Sequence, residues 1–276
     1  MRKLLIATDL DATLLDHQTY SYDAALSAIK LLQNKRFPII FNSSKTTAEQ
    51  TQIRHAIEIQ DPFVVENGAA VVIPSGQLDH PEQAPAPRVQ KFGVSYNELI
   101  ETLKCLRQQS SYQFRGFADM SAAKVAEITG LSIEEAQAAK QRVGSEPLLW
   151  QDTEAAYLTF TAAVESLGLQ NTRGGRFRHV TAKTDKGTAL KWLVAAYRRV
   201  FPQTNWTVVA LGDSPNDLPM LRVADIGVLV PNPHRPDFVV DGVRDLRQAS
   251  QAGPVGWAKI IQEIVREFEQ GSPLPL

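Results

Sequence analysis

Four short polar clusters in the 276-residue chain hold the residue types that phosphoryl transfer requires. They are Asp9-Leu10-Asp11-Ala12-Thr13, Asn42-Ser43-Ser44-Lys45-Thr46, Asp185-Lys186-Gly187 and Gly212-Asp213-Ser214-Pro215-Asn216-Asp217. Asp9 and Asp11 stand two apart at the end of an apolar run, so both side chains can project to one side. Acids that close repel unless a cation lies between them, and Asp213 and Asp217 add further negative charge. Oxygen donors without His or Cys suit Mg²⁺. The Ser43 hydroxyl and the amides that follow it can donate to phosphate oxygens. The Lys186 ammonium can offset the repulsion between a phosphate dianion and a carboxylate nucleophile. Taken singly, each cluster has an ordinary explanation. A DxD pattern arises by chance, a lone lysine is surface charge, and residues 213–217 could be a capping turn. Their joint occurrence at strand ends points to one site.

Buried strands are expected where apolar runs stop at these clusters, at residues 4–8, 37–41, 63–65, 207–211 and 226–230. Residues 70–73 are expected to return as a hairpin arm. Helical spacing of apolar residues occurs at 23–33, 47–57, 188–200, 218–223 and 257–268. Alternating strands and helices imply a parallel sheet of the α/β, Rossmann-like type, which binds ligands at the carboxyl ends of its strands. The pattern changes at about residue 88. Helices are expected at 96–107, 121–129 and 133–142, and strands at 148–150, 157–160 and 177–180, with Ser132 as a helix N-cap. This stretch reads as a separate α+β module. The proline-rich segment 80–87 is expected to be an extended linker, and residues 271–276 to lack order. The expected organisation is a catalytic core from residues 1–83 and 181–276, with 84–180 inserted as a second domain.

The balance of 29 basic and 30 acidic residues suggests neither nucleic acid nor an anionic membrane as a partner. The N-terminal run Met1-Arg2-Lys3-Leu4-Leu5-Ile6 is too short for a signal peptide, and no stretch approaches a membrane span. The single cysteine, Cys105, cannot form an internal disulfide, so a cytoplasmic location is expected. Its helical surroundings suggest a buried structural thiol.

The combined pattern resembles the haloacid dehalogenase superfamily of phosphatases. Asp9-Leu10-Asp11-Ala12-Thr13 is similar to the DxDGT motif, with Ala12 in place of glycine, and Ser43, Lys186 and the GDxxND run at 212–217 are similar to the other three motifs. The resemblance implies that Asp9 is a nucleophile forming an aspartyl phosphate and that Asp11 is a general acid and base. It also implies that Ser43 and Lys186 hold phosphate. Mg²⁺ would be bound by Asp9, the Asp11 carbonyl and Asp213, with Asn216 and Asp217 supporting. The insert occupies the place of a class II cap. Its stretches Phe114-Arg115-Gly116-Phe117-Ala118-Asp119-Met120-Ser121, Thr129-Gly130-Leu131-Ser132, Glu146-Pro147 and Gly174-Gly175-Arg176-Phe177 are similar to the mannosyl-3-phosphoglycerate phosphatase family. That likeness implies a sugar-phosphate substrate, mannosyl- or glucosyl-3-phosphoglycerate, with sucrose phosphate, glucosylglycerol phosphate or a silent binding role as alternatives. Ser44, Lys45, Arg115, Arg142 and Arg176 are the candidates for substrate contact.

Overall fold

The computed structural model describes residues 1–78, 86–173, 176–234 and 239–271. Most of the expected linker, Gly174-Gly175 and all but the first residue of the tail therefore lie outside the described residues. In chain order the first part is β1 (Arg2–Thr8), α1 (Leu26–Asn34), β2 (Ile39–Phe41), α2 (Thr47–Ala56), then β3 (Phe63–Val65), β4 (Ala70–Ile73) and β5 (Arg88–Lys91). The middle part is α3 (Tyr96–Ser110), β6 (Phe114–Gly116), α4 (Ala122–Thr129), α5 (Ile133–Lys140), β7 (Ser145–Trp150), α6 (Glu154–Ser166), β8 (Leu169–Arg173) and β9 (Arg178–Ala182). The chain returns through α7 (Lys186–Val200), β10 (Asn205–Gly212), α8 (Leu218–Val223), β11 (Ile226–Leu229), β12 (Leu246–Gln248) and α9 (Gly253–Glu269).

The core sheet runs β12-β11-β10-β1-β2, with every pairing parallel. Strand β1 is central, and its side chains alternate between two helical layers. Leu4 and Ile6 pack with Ile29, Leu32, Trp257 and Ile261 on one face. Leu5 and Ala7 pack with Leu190, Leu193, Trp206 and Met220 on the other. A strand buried on both faces must be apolar at successive positions, as residues 4–7 are. An isolated parallel bridge from Asn42 to Val64 joins this sheet to the antiparallel trio β3-β4-β5.

The inserted module has an antiparallel sheet in the order β6-β7-β9-β8. Leu103, Phe114, Leu148, Phe160 and Val180 form its principal core. By sheet membership, Arg88–Lys91 belongs with the hairpin on the core side and Arg178–Ala182 with the module.

Two sequence expectations fail here. Residues 157–160 form no strand; they lie within α6. Thr153 caps that helix by accepting from the Ala156 amide, and Tyr157, Phe160 and Val164 fall on its buried side at helical spacing. The strand comes afterwards, as β8, where Leu169 is buried. Cys105 is helical as expected but exposed, because Leu99, Leu103 and Leu106 form the buried face of α3.

Candidate active site

The end of β1 is held from three sides. The Asp9 amide donates to Leu211 O at 2.9 Å, and the Asn42 amide donates to Thr8 O at 2.8 Å. The Thr8 hydroxyl donates to Asp9 O at 2.7 Å and accepts from the indole N–H of fully buried Trp257 at 3.0 Å. After Asp9 the chain turns tightly, with the Thr13 and Leu15 amides both donating to Leu10 O. Leu10, Leu14 and Leu15 are buried and anchor the turn. Ala12 holds φ at 61° within it.

Lys186 is the first residue of α7, and the Asp185 carboxylate caps that helix by accepting from the Thr188 amide at 2.7 Å. The stem is buried, and Nζ lies 2.6 Å from Asp9 Oδ1 and 2.6 Å from Asp217 Oδ1. Asp217 Oδ2 in turn accepts from the Asp213 and Ser214 amides at 3.0 Å and from the Ser214 hydroxyl at 3.1 Å. This folding-back needs glycine at 212, where a Cβ would stand 2.4 Å from Asp217 Cβ. Both oxygens of Asp213 are oriented, Oδ1 by the Thr13 hydroxyl at 2.9 Å and Oδ2 by the Asn232 amide at 2.6 Å.

Asp9, Asp213 and Asp217 are buried, and one oxygen of each lies within 4.8 Å of the others. Burial pushes the Asp9 carboxyl well above the usual range; Lys186 opposes this, while Asp217, Asp213 and Asp11 add to it. Burial likewise raises Asp213, followed by repulsion from Asp217. Burial also disfavours the Lys186 ammonium, yet Asp217 and Asp9 more than offset this and raise it. Three buried carboxylates thus share one ammonium, and a second cation would relieve the excess negative charge. An all-oxygen donor set of this kind fits Mg²⁺.

Ser43 is buried beside the cluster, with its hydroxyl accepting from the Lys45 amide at 3.3 Å. Neighbouring Asn42 donates to Lys186 O at 3.0 Å and leaves its own Oδ1 buried without a partner. Lys45 Nζ lies 2.9 Å from Asp11 Oδ1 in an ion pair. Burial opposes the Lys45 charge, but Asp11 and then Glu49 sustain it and raise its pKa. Asn216 is exposed, accepts from the Ser214 hydroxyl at 2.6 Å and donates to Asn67 Oδ1 at 3.2 Å, so it shapes the loop beside the cluster.

The cap candidates divide. Arg142, read from sequence as a substrate contact, is buried in the joint between core and insert. Its Nε donates to Ser145 O and Oγ, Nη1 to Ala139 O and Nη2 to Ser44 O and Ser145 Oγ. Glu66 lies 3.6 Å away and accepts from the amides of Val143, Gly144 and Ser145 and from the Ser145 hydroxyl. A guanidinium so occupied has little left for a ligand. Ser44 contributes its carbonyl to the same joint. Arg115 projects from β6 beside Asp119, and Arg176 is exposed before β9. Three partners of the cluster had no role in the sequence reading: Thr13, Asn232 and Trp257. Thr13 lies in the first motif, and Asn232 in Val230-Pro231-Asn232-Pro233 at the end of β11, where a strand-end amide could have drawn attention.

A family model described as haloacid dehalogenase-like hydrolase matches residues 6–236. A glucosyl-3-phosphoglycerate/mannosyl-3-phosphoglycerate phosphatase of Methanococcoides burtonii is 38% identical over 270 residues, covering 95% of this chain and 97% of that one. A protein of the same description from Persephonella marina is 33% identical, covering 97% and 99%. Among solved structures, a haloacid dehalogenase subclass IIB sugar phosphatase superposes with a TM-score of 0.61 at 18% identity, over 95% of this chain and 99% of that one. The sucrose-phosphatase of Synechocystis, solved with sucrose and phosphate, superposes with a TM-score of 0.56 at 16% identity, over 98% and 99%. Those two likenesses concern the fold. With the strand-end acids, the buried lysine and the inserted module all in place, the chain belongs to the haloacid dehalogenase-like hydrolases.

Proposed function

We propose that the protein is a phosphatase that hydrolyses glucosyl- or mannosyl-3-phosphoglycerate to the glycosylglycerate and phosphate through an aspartyl phosphate on Asp9. The observation that carries the chemistry is the buried set of Asp9, Asp213 and Asp217 around Lys186 at the end of β1. The substrate class rests on the two curated relatives, whose identity to this chain extends over nearly the full length of each.

In this reading an Asp9 carboxylate oxygen attacks the phosphorus of the ester while Asp11 protonates the departing alkoxide. Water then attacks the phosphorus of the aspartyl phosphate, its proton passes to Asp11, and phosphate leaves with Asp9 restored. Lys186 and Ser43 hold the phosphoryl oxygens in both steps, and Asp217 keeps the ammonium aimed at Asp9. Asp9, the Asp11 carbonyl and Asp213 would hold Mg²⁺, with Thr13 and Asn232 orienting Asp213. Bound there, the ion would neutralise charge on the phosphoryl oxygens. Asn216 and Asp217 would support the site from outside.

The test is phosphate release with Mg²⁺ from glucosyl- and mannosyl-3-phosphoglycerate, sucrose phosphate, glucosylglycerol phosphate and simple hexose phosphates. The expected result is a strong preference for the first two, with turnover in Asp9→Asn reduced by about 10⁴-fold or more. Equal turnover of all the esters would remove the substrate assignment and leave the mechanism. Turnover by Asp9→Asn at the native rate would remove the mechanism.

A further inference from the structure

Two of the cations described above are committed to protein oxygens. Lys186 divides its ammonium between Asp9 and Asp217. Arg142 spends all three guanidinium nitrogens on protein oxygens. Lys45 differs. Its ion-pair partner is a single acid, Asp11, at 2.9 Å. Two other acids lie within electrostatic reach, Glu49 and Glu135. Both are committed as helix caps: Glu49 accepts from the Thr46 amide and Glu135 from the Ser132 amide, each at 2.8 Å. The Tyr20 ring, centred 5.4 Å from Nζ, supports the ammonium but cannot neutralise it.

Position completes the case. The Lys45 amide donates to the Ser43 hydroxyl, so its backbone adjoins the proposed phosphate seat, while Thr46 bonds Ala138 of the module. Lys45 therefore stands at the seam between the phosphate seat and the cap. In a 3-phosphoglycerate ester the carboxylate is separated from the phosphate by two carbons and the ester oxygen. A flexible lysine stem beside Ser43 can span that separation. We propose that Lys45 selects esters bearing such a carboxylate, exchanging its ion pair with Asp11 for one with the substrate. An ester without the carboxylate offers no such exchange. Lys45 then stays on Asp11, or is left half-buried and unpaired at a cost.

This inference rests on the proposed function, and its test separates the two. The probes are glucosyl-3-phosphoglycerate and glucosylglycerol 3-phosphate, which differ in that a hydroxymethyl group replaces the carboxylate. The ratio of their kcat/KM values is measured with Mg²⁺ in the native protein, Lys45→Met, Lys45→Arg, Arg115→Gln and Arg176→Gln. Because each ratio is taken within one preparation, a partly folded variant still reports. No preference in the native protein overturns the substrate reading itself. Given a native preference, Lys45→Met is expected to reduce the ratio roughly ten- to a hundredfold, mainly through KM for the carboxylate ester, and Lys45→Arg to retain most of it. If Lys45→Met slows both esters equally, or if Arg115→Gln or Arg176→Gln collapses the ratio while Lys45→Met does not, the assignment of Lys45 is overturned.

Discussion

Ala12 carries backbone strain in the turn beside the acidic cluster. Its φ of 61° lies in the left-handed region, which costs an L-residue roughly 1–2 kcal/mol. The turn needs that angle so that Asp9 and Asp11 leave β1 while Leu10, Leu14 and Leu15 enter the core. Ala12→Gly is expected to stabilise the fold by about 0.5–1 kcal/mol, the relief of strain outweighing the greater freedom of glycine in the unfolded chain. Thermal unfolding of the two proteins measures this; a lower midpoint in the glycine variant would mean that packing of the alanine methyl group prevails. At this scale the sequence was legible where chemistry is dense. Asp9, Lys186, Asp213 and Asp217 could be read because each lies in a cluster whose residue types have few other uses together. Thr13 and Asn232 could not be assigned, because both act on Asp213 across long stretches of chain. Arg142 shows the opposite limit: a guanidinium's residue type is visible in a sequence, but the protein oxygens that occupy it are not.

Elements position these residues through their ends. The helix α2 starts with a capping box between Thr46 and Glu49, which fixes the segment holding Ser43, Ser44 and Lys45. Strand and helix periodicity exposed most of the core in advance, since residues buried on two faces must be apolar. The same reasoning fails at 157–160, where aromatic residues at spacing three suit a helix, and the cap at Thr153 marks where that helix begins. The turn after β3 is legible as a turn, since residues 70–73 are expected to return as a hairpin arm and do pair with β3, but its conformation is not. Glu66 and Asn67 hold positive φ values of 53° and 56°, a rare backbone for such residues, and this aims the Glu66 carboxylate at the module. Glu66 is buried and accepts four hydrogen bonds from residues 143–145. In Glu66→Gln the amide N–H₂ would face amide donors. The substitution is expected to destabilise the protein by about 2–4 kcal/mol, because a buried charged acceptor is lost and Arg142 is left without its carboxylate. Urea unfolding of the variant measures this. An unchanged midpoint would mean that the backbone bonds around Ser145 hold the joint without the charge.

At the scale of the whole molecule, the two ends of the chain build one core. Strand β1 lies between β10 and β2, and Trp257 of α9 reaches Thr8 next to Asp9, so the site is assembled only when distant segments meet. The inserted module returns to that core through β9, which runs towards Lys186 and contains His179. His179 is half-buried, pairs with Pro147 and Thr172 across the sheet, and lies near Arg142. Burial, then the Arg142 charge, lowers its pKa from 6.5 to about 4. Between these values the unfolded chain takes up a proton that the folded chain refuses. The associated stability is therefore complete above pH 6.5 and is lost as pH falls towards 4. Carboxylates titrate in the same range, so the native curve alone would not isolate this group. The comparison with His179→Gln does, because the remaining groups are common to both proteins. From pH 7 to pH 5 the native protein is expected to lose about 1–2 kcal/mol more stability than the variant, read as the difference between their urea midpoints at each pH. Parallel curves for the two proteins would show that water reaches the His179 ring well enough to let it protonate in the folded state.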